Sequence, residues 1–140
     1  MNRLLNKMIN YFIVVLAIFM AYVGCLMFYP YETYTLHTSP MEVLNPVVKA
    51  GDCITIKVDA TRHTNKPADV TLQLVNDSVI LLPTMRSAMP AGPQDLEWKL
   101  RIPKYADAGH YKLISTLTFQ MNPLRTISNR FETEMFEVVK

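Results

Sequence analysis

The stretch Tyr111-Lys-Leu-Ile-Ser-Thr-Leu-Thr-Phe119 places apolar side chains at every second position, interrupted only by Ser115. Successive side chains of a β-strand point to opposite faces, so this spacing predicts a strand with one buried face. Asn122-Pro123 follows it and predicts a turn. This is the longest alternating run in the chain, and it indicates a β-fold.

Shorter alternating runs lie on both sides of this stretch, separated by turn-forming residues. No segment beyond Tyr31 has the spacing of apolar residues that is typical of a helix. The other predicted strands cover residues 41–48, with an interruption at Pro46, and residues 54–58, 70–74, 79–82, 96–102 and 131–139. The sequence therefore predicts an all-β domain over residues 41–140, an antiparallel sandwich of about seven strands.

The sixth predicted strand opens with Asp107-Ala-Gly109-His-Tyr111. This motif resembles the D-x-G-x-Y signature of the immunoglobulin superfamily, in which the tyrosine hydroxyl bonds back to the backbone a few residues upstream. Gly109 tolerates a positive φ, and Asp107 can close a local turn. The resemblance implies that Asp107, Gly109 and Tyr111 form a structural corner at the start of this strand.

The chain departs from antibody-type domains at the disulfide position. Leu113 stands where those domains have their second cysteine, and Ile56 is the residue expected to oppose it. Trp98, the one tryptophan, falls near the fifth strand rather than the third. The resemblance is therefore to fibronectin type III-like and bacterial or phage Ig-like domains, with aliphatic packing in place of the disulfide.

An apolar segment precedes the β-domain. Residues 11–29 contain no charged residue, and as a helix these 19 residues would reach roughly 29 Å, the thickness of the bilayer hydrocarbon. Arg3 and Lys7 are the only charges before the segment, and basic flanks stay in the cytoplasm. We therefore predict a cytoplasmic tail (1–10), a transmembrane helix (11–29), a juxtamembrane linker (30–40) and a domain (41–140) in the periplasm or outside the cell.

Two processing alternatives remain open for this segment. A cleaved signal peptide needs small residues before the cut, but Tyr22 is bulky. The sequence Tyr22-Val-Gly-Cys25 resembles a bacterial lipoprotein box, which would make Cys25 the lipidated residue. The box normally has a small aliphatic residue where Tyr22 stands and a polar tether after the cysteine. An uncleaved anchor is the favoured interpretation.

The charge balance argues against nucleic-acid binding. The chain has 14 Lys and Arg and 12 Asp and Glu, a net charge of +2 that is accounted for by Arg3 and Lys7, because 12 minus 12 leaves zero beyond them. A neutral domain provides no basic field for phosphate backbones. We predict a membrane contact through residues 11–29 and an unidentified protein partner, with a second copy of the chain as a further candidate.

Chemistry-bearing motifs are scarce. The histidines have no paired metal-ligand spacing, and the four glycines form no phosphate-binding loop or nucleophile elbow. We therefore expect no enzyme activity, cofactor or metal. Asp107 and His110 are the nearest acid and imidazole and carry a weak enzyme alternative. Cys53 is expected to be a small, half-buried structural residue, with an intermolecular disulfide as the alternative. Asn76-Asp-Ser78 fits the glycosylation sequon but is explained by a tight turn.

Two loops are the candidate binding surfaces. The first is the connection 83–93, which contains three prolines. Methionines adapt to irregular surfaces and prolines reduce the entropy lost on docking. The second is the turn after the long strand. The candidate residues are Met85, Arg86, Met89, Pro90, Leu124 and Arg125.

The leading hypothesis is a membrane-anchored Ig-like domain, displayed outside the cytoplasm, that acts by protein–protein binding without catalysis. The alternative is a structural subunit of an envelope or phage virion assembly. Pro46 and the charges of residues 131–140 protect strand edges and weigh against open strand addition there.

Overall fold

The computed structural model describes residues 2–140, which contain one helix and eleven strands. They divide into two compact units, the first comprising the chain up to Tyr31 with Asn122–Arg125 and the second comprising Glu32–Met121 with Thr126–Lys140. The elements are α1 (Asn2–Phe28), β1 (Tyr34–Leu36), β2 (Glu42–Val43), β3 (Val47–Lys49), β4 (Cys53–Arg62), β5 (Ala68–Val75), β6 (Val79–Leu81), β7 (Met85–Ser87), β8 (Gly92–Arg101), β9 (Gly109–Asn122), β10 (Arg125–Glu132) and β11 (Phe136–Val139).

Helix α1 has 27 residues and is about 40 Å long. Its most apolar part, within Arg3–Phe28, is fully exposed, and its length and hydropathy are sufficient to cross a membrane. A signal sequence near an N-terminus has the same properties. The helix begins at Asn2, so most of the predicted tail 1–10 continues the same helix. The predicted apolar segment is therefore a helix suited to a bilayer.

The end of α1 is capped by the turn Asn122–Arg125, which belongs to the same unit. The guanidinium of Arg125 donates to the carbonyl oxygens of Met27 (2.7 Å) and Tyr29 (2.6 Å), and the Asn122 amide donates to the Leu26 oxygen (2.8 Å). The last carbonyls of a helix have no intrahelical donor, and their partial negative charge favours a cation. This turn therefore stabilises the helix end.

In the second unit, β4 is the centre of the first sheet. Strand β8 pairs antiparallel with β4 along its whole length. Strands β1 and β2 also pair antiparallel with β4, and because β8 occupies one side they follow one another along the other. The alternation predicted in β4 is confirmed, since Ile54 and Ile56 are completely buried while Cys53 and Lys57 are exposed.

Strand β9 is the centre of the second sheet. Strand β5 pairs antiparallel with it on one side, and β10 and β11 pair with it on the other. Strands β6 and β7 follow one another along the outer side of β5, and β3 pairs parallel with β11. The fold of this unit is therefore two β-sheets, and the expected β-class is confirmed.

One hydrophobic core joins the inner faces of both sheets. Burying a large aliphatic or aromatic side chain contributes about 1.5–3 kcal/mol, so these residues are the main source of the unit's stability. Leu113 and Ile56, which were expected to pack against each other where antibody-type domains have a disulfide, are both members of this core. Its completely buried apolar members are Ile54, Ile56, Leu72, Leu74, Ile102, Leu113 and Val138.

The eleven strands exceed the seven predicted, because several predicted segments are divided or were assigned to loops. The first predicted strand, 41–48, breaks at Pro46 into β2 and β3, which lie in different sheets. Strand β1 lies within the predicted linker 30–40, and β7 within the predicted connection 83–93. Strands β1 and β7 have three residues each and pair with β4 and β5, so too few residues are present for local alternation to reveal them.

Thr133 fills the break between β10 and β11. Its side chain is 1% exposed, and its hydroxyl accepts from the Leu113 amide (3.0 Å) and donates to the Glu134 carbonyl (2.8 Å). Its own amide donates to the Leu113 carbonyl at 2.9 Å. A side chain therefore replaces the missing ladder bonds, as buried backbone groups require.

Candidate functional site

The candidate site is an open groove of about 580 Å³ between the two sheets of the second unit, which we call the lateral groove. Strand β8 supplies Leu96 and Trp98, and β7 with the residues after it supplies Met85 and Met89. Apolar side chains form most of its surface. The lining residues are Tyr34, Met41, Val58, Arg62, Val70, Met85, Arg86, Ser87, Ala88, Met89, Gln94, Leu96, Glu97, Trp98, Ser115, Leu117 and Phe131.

The groove is open because both sheets end there. Within residues 2–140, β8 pairs only with β4 and β7 pairs only with β5, so no strand closes this side. The inward residues of β8 show the effect, since Leu96 is 37% exposed, Trp98 is half-buried and Leu100 is 8% exposed. The core of the unit is therefore accessible from the side at the Leu96 end of β8.

Arg62 is a buried cation that lines the groove. It is 2% exposed, and its guanidinium donates to the carbonyl oxygens of Thr64 (3.0 Å) and Lys66 (2.5 Å) and to the Ser87 hydroxyl (3.2 Å). It also lies over the Phe119 ring, 5.2 Å from the centroid. None of the ion pairs among the described residues involves Arg62. Among residues 2–140, the groups that contact its guanidinium are neutral acceptors and an aromatic face.

Burial also shifts the titration of Arg62 and its neighbour Tyr34. Loss of solvent lowers the pKa of Arg62, and the interaction with Tyr34 raises it in part. Burial raises the pKa of Tyr34, and the nearby positive charge of Arg62 lowers it in part. At neutral pH the arginine remains a cation and the tyrosine remains neutral. Arg62 therefore contributes a buried positive charge to a groove whose walls are mostly apolar and which Arg86 and Glu97 also line.

A second, more polar cleft of about 440 Å³ lies on the other side of Arg86. Lys66, Asp69 and Thr118 are among its lining residues, and Lys66 donates to the Met121 carbonyl. Arg86 lines both cavities. Its exposed guanidinium can therefore reach a ligand in either of them.

The structure brings together only some of the residues predicted to bind. Met85, Arg86 and Met89 line the lateral groove, whereas Pro90 lies beside it in the same connection. Leu124 and Arg125 belong to the first unit, and the Arg125 guanidinium is engaged by the end of α1. Of the predicted residues, Met85, Arg86 and Met89 therefore share one site, in the second unit.

Four other residues that line the groove were not predicted to belong to a site: Arg62, Leu96, Trp98 and Phe131. The sequence predicts Leu96, Trp98 and Phe131 as strand residues, and Arg62 follows the predicted strand 54–58. Arg62 had a detectable signal, because the alternation of Ile54, Ile56 and Val58 continues through residue 60 to place residue 62 on the inward face. An arginine at an inward position indicates a buried charge.

The predicted structural corner, Asp107, Gly109 and Tyr111, lies at the start of β9. The Tyr111 hydroxyl donates to the Asp107 carbonyl oxygen at 3.0 Å, and Tyr111 is 1% exposed. Gly109 has a φ of +156°. The Asp107 carboxylate lies 3.5 Å from the Lys140 ammonium and is largely exposed, so it faces solvent and not the core.

The remaining polar candidates are dispersed. His110 lies opposite Glu137 in the β9–β11 register, and Glu132 pairs with Lys112 (3.9 Å) and Arg130 (3.6 Å). Among residues 2–140, no three His, Cys, Asp or Glu side chains converge as a metal site would require. Cys25 lies exposed in α1 and Cys53 exposed at the start of β4, both as free thiols.

Comparisons with known proteins provide little further information. No protein-family model matches the sequence, and no curated protein matches it. Among solved structures, the chain is similar to the Pseudomonas fluorescens alkylpurine DNA glycosylase AlkC bound to DNA containing an abasic site analog, with a TM-score of 0.40 and 12% sequence identity. The match covers 79% of this chain and 32% of that one. A likeness this weak supports no inference about function.

Proposed function

We propose that this protein is a membrane-anchored Ig-like domain that is displayed outside the cytoplasm and acts by binding another protein, without catalysis. The observation that carries the proposal is the lateral groove, an apolar opening into the core of the second unit. A contiguous exposed apolar surface on a folded domain is typical of an interaction site.

Strand order and the Tyr111 corner support the Ig-like assignment. Strands β2, β4 and β8 belong to one sheet, and β3, β11, β9 and β5 are successive neighbours in the other. This order is similar to that of an immunoglobulin domain in which β4 and β9 are the central strands. The hydroxyl of Tyr111 bonds four residues upstream, as in the tyrosine corner of that superfamily.

The composition of the groove favours a protein partner. Aromatic residues, methionine and arginine are enriched where protein interfaces are fully buried, and the groove combines Trp98, Phe131, Met85, Met89 and Arg86. Methionine side chains adapt their rotamers to an incoming surface. The expected partner therefore inserts apolar side chains between β7 and β8.

Site-specific crosslinking tests the binding role in the full-length chain in its native membrane. A photo-reactive residue in place of Met89, which is 36% exposed, should form a discrete adduct. The same probe in place of Glu134, which is exposed outside the groove, is the matched control. The Leu96→Glu substitution should abolish the Met89 adduct, because it places a charge on the groove wall. Equal labelling from both positions would refute the proposal.

The native thiols test the orientation. Cys53 is exposed in the second unit, so a membrane-impermeant maleimide should label it from outside intact cells. A Cys53→Ser variant should lose that label. Labelling that requires permeabilised cells would place the domain in the cytoplasm and contradict the orientation expected from Arg3 and Lys7.

A structural role in an assembly is the second candidate. The free edge of β8 favours it, because an unpaired strand edge can hydrogen bond to another chain.

A further inference from the structure

Strand β8 has one unpaired side. The Ile102 amide donates to the Asp52 carbonyl (2.8 Å), and the Ile102 carbonyl accepts from the Gly51 amide (3.1 Å), so residue 102 faces the β4 side. Backbone groups alternate between the two sides of a strand, and even-numbered residues of β8 therefore face β4. The residues whose amides and carbonyls face the free edge are Asp95, Glu97, Lys99 and Arg101.

The side chains of these four residues are exposed and alternate with the inward Leu96, Trp98 and Leu100, and their charges have a self-complementary order. Two acids precede Trp98 and two bases follow it. If a second β8 lies antiparallel with Trp98 opposite Trp98, each Glu97 faces a Lys99 and each Asp95 faces an Arg101. Opposite charges directly across an antiparallel pair are stabilising, and like charges are destabilising.

We infer that a second copy of this chain pairs with the free edge of β8, antiparallel and centred on Trp98. The inference goes beyond the proposed function, because it concerns the strand edge of β8 and names a second copy of the chain as its partner there. The four charged pairs occupy hydrogen-bonded positions, so two backbone bonds for each pair give about eight in total. The first sheet of one copy and the first sheet of the other, which are related by a twofold axis, then form one continuous sheet.

The inner face of β8 fits the same arrangement. Leu96 lies opposite Leu100 of the second copy, and the two Trp98 side chains meet at the axis, where facing Cα atoms are about 4.5 Å apart. Leu96 and Trp98 are the β8 residues left accessible by the lateral groove. Pairing therefore covers apolar surface that water contacts in one copy alone.

The charges also explain why a second copy fits better than an unrelated strand. Charged residues on an edge oppose indiscriminate strand addition, because most strands present no matching charges. Within the chain, Asp95 lies opposite Asp59 of β4, a like-charge pair that a facing arginine relieves. None of the described ion pairs engages Asp95, Glu97 or Lys99.

Charge reversal in the full-length chain tests this pairing, with self-association in detergent micelles measured by sedimentation equilibrium. Glu97→Lys and Lys99→Glu each convert two opposite-charge pairs into like-charge pairs, and each should weaken association at least about tenfold. Glu134→Lys makes the same reversal away from β8 and should leave association unchanged.

Mixing separates pairing from folding defects. Glu97→Lys chains and Lys99→Glu chains should each be monomeric alone yet associate together, because every facing pair is then opposite in charge. The double variant should also regain self-association. Failure of both the mixture and the double variant to recover, or a wild type that stays monomeric, overturns the inference. A groove that still crosslinks a different protein from position 89 would leave the proposed function intact.

Discussion

Replacing Arg62 with methionine should destabilise the second unit strongly. The guanidinium holds the Thr64 and Lys66 carbonyls and the Ser87 hydroxyl together beneath the lateral groove. Methionine retains much of the aliphatic packing but donates no hydrogen bond. Four acceptors, these three and the Ser87 carbonyl (3.4 Å), then lose the donor that the arginine provides.

The expected loss follows from these contacts. An acceptor left without a donor in a buried site costs about 1–3 kcal/mol, although the open groove lets water reach some of them. The cation–π contact with Phe119 is also lost, at about 1–2 kcal/mol, while removal of a buried charge returns part of its desolvation cost. We expect a net loss of about 3–5 kcal/mol, a large fraction of the stability of an ordinary domain.

Urea unfolding of the full-length chain in micelles measures this loss, and Trp98, the only tryptophan, reports it by fluorescence. Arg86→Met is the matched control, because Arg86 is exposed on the same groove and its removal should change stability by less than about 0.5 kcal/mol. Arg62→Lys should fall between the two, since an ammonium cannot reproduce the planar arrangement of donors. A loss below about 1 kcal/mol for Arg62→Met would refute the reasoning.

Substitutions at three further positions test other parts of the fold. Tyr111→Phe removes the hydrogen bond to Asp107 and should cost about 0.5–1.5 kcal/mol in urea unfolding; no measurable loss would mean that the corner bond is not stabilising. Thr133→Val leaves the Leu113 amide without an acceptor and should lower the free energy of unfolding by about 1–3 kcal/mol. Thr133→Ser keeps the hydroxyl and should lower it less; equal losses would contradict the role of that oxygen. Burial raises the pKa of Tyr34, so this side chain ionises first in the unfolded chain, and the wild type should lose stability as the pH rises past about 10. Tyr34→Phe should lose less stability over the same pH range, which parallel urea-unfolding series at pH 8 and above would measure.

Local patterning was sufficient for four of the five strands that have eight or more residues. The prediction was wrong for β10 (Arg125–Glu132), of which the predicted strand 131–139 covers only the last two residues, because the half-buried face of β10 includes Arg125 and Asn129 and so shows no apolar alternation. Alternation identified the cores of β4, β5, β8 and β9 because each of them has one face in the hydrophobic core, and period-two burial appears directly in the order of residues. The turn at Asn122-Pro123 was also predictable from its residue types. The short strands β1 and β7 were not predicted, since three residues are too few to show an alternation and their pairing with β4 and β5 is set by the tertiary structure.

Only part of the candidate site could be predicted. Met85, Arg86 and Met89 were selected because they lie in a proline-rich connection, and they line the groove. Arg125 was selected for the same kind of reason but engages the end of α1, because an exposed arginine binds whichever carbonyls the fold places beside it. The opposite wall, with Trp98 and Phe131, depends on which strands form sheet edges.

The sequence by itself determined the apolar helix, the β-class of the remaining chain and the neutral charge of that part, because hydropathy, alternation and charge are properties of residue order. The self-complementary charges around Trp98 are also readable in the sequence. Only the tertiary structure decided that β8 is an edge strand, that a groove opens beside it and that Arg62 is buried there without a carboxylate. Strand pairing between distant segments sets these features, and pairing depends on the packing of the whole unit rather than on any local pattern.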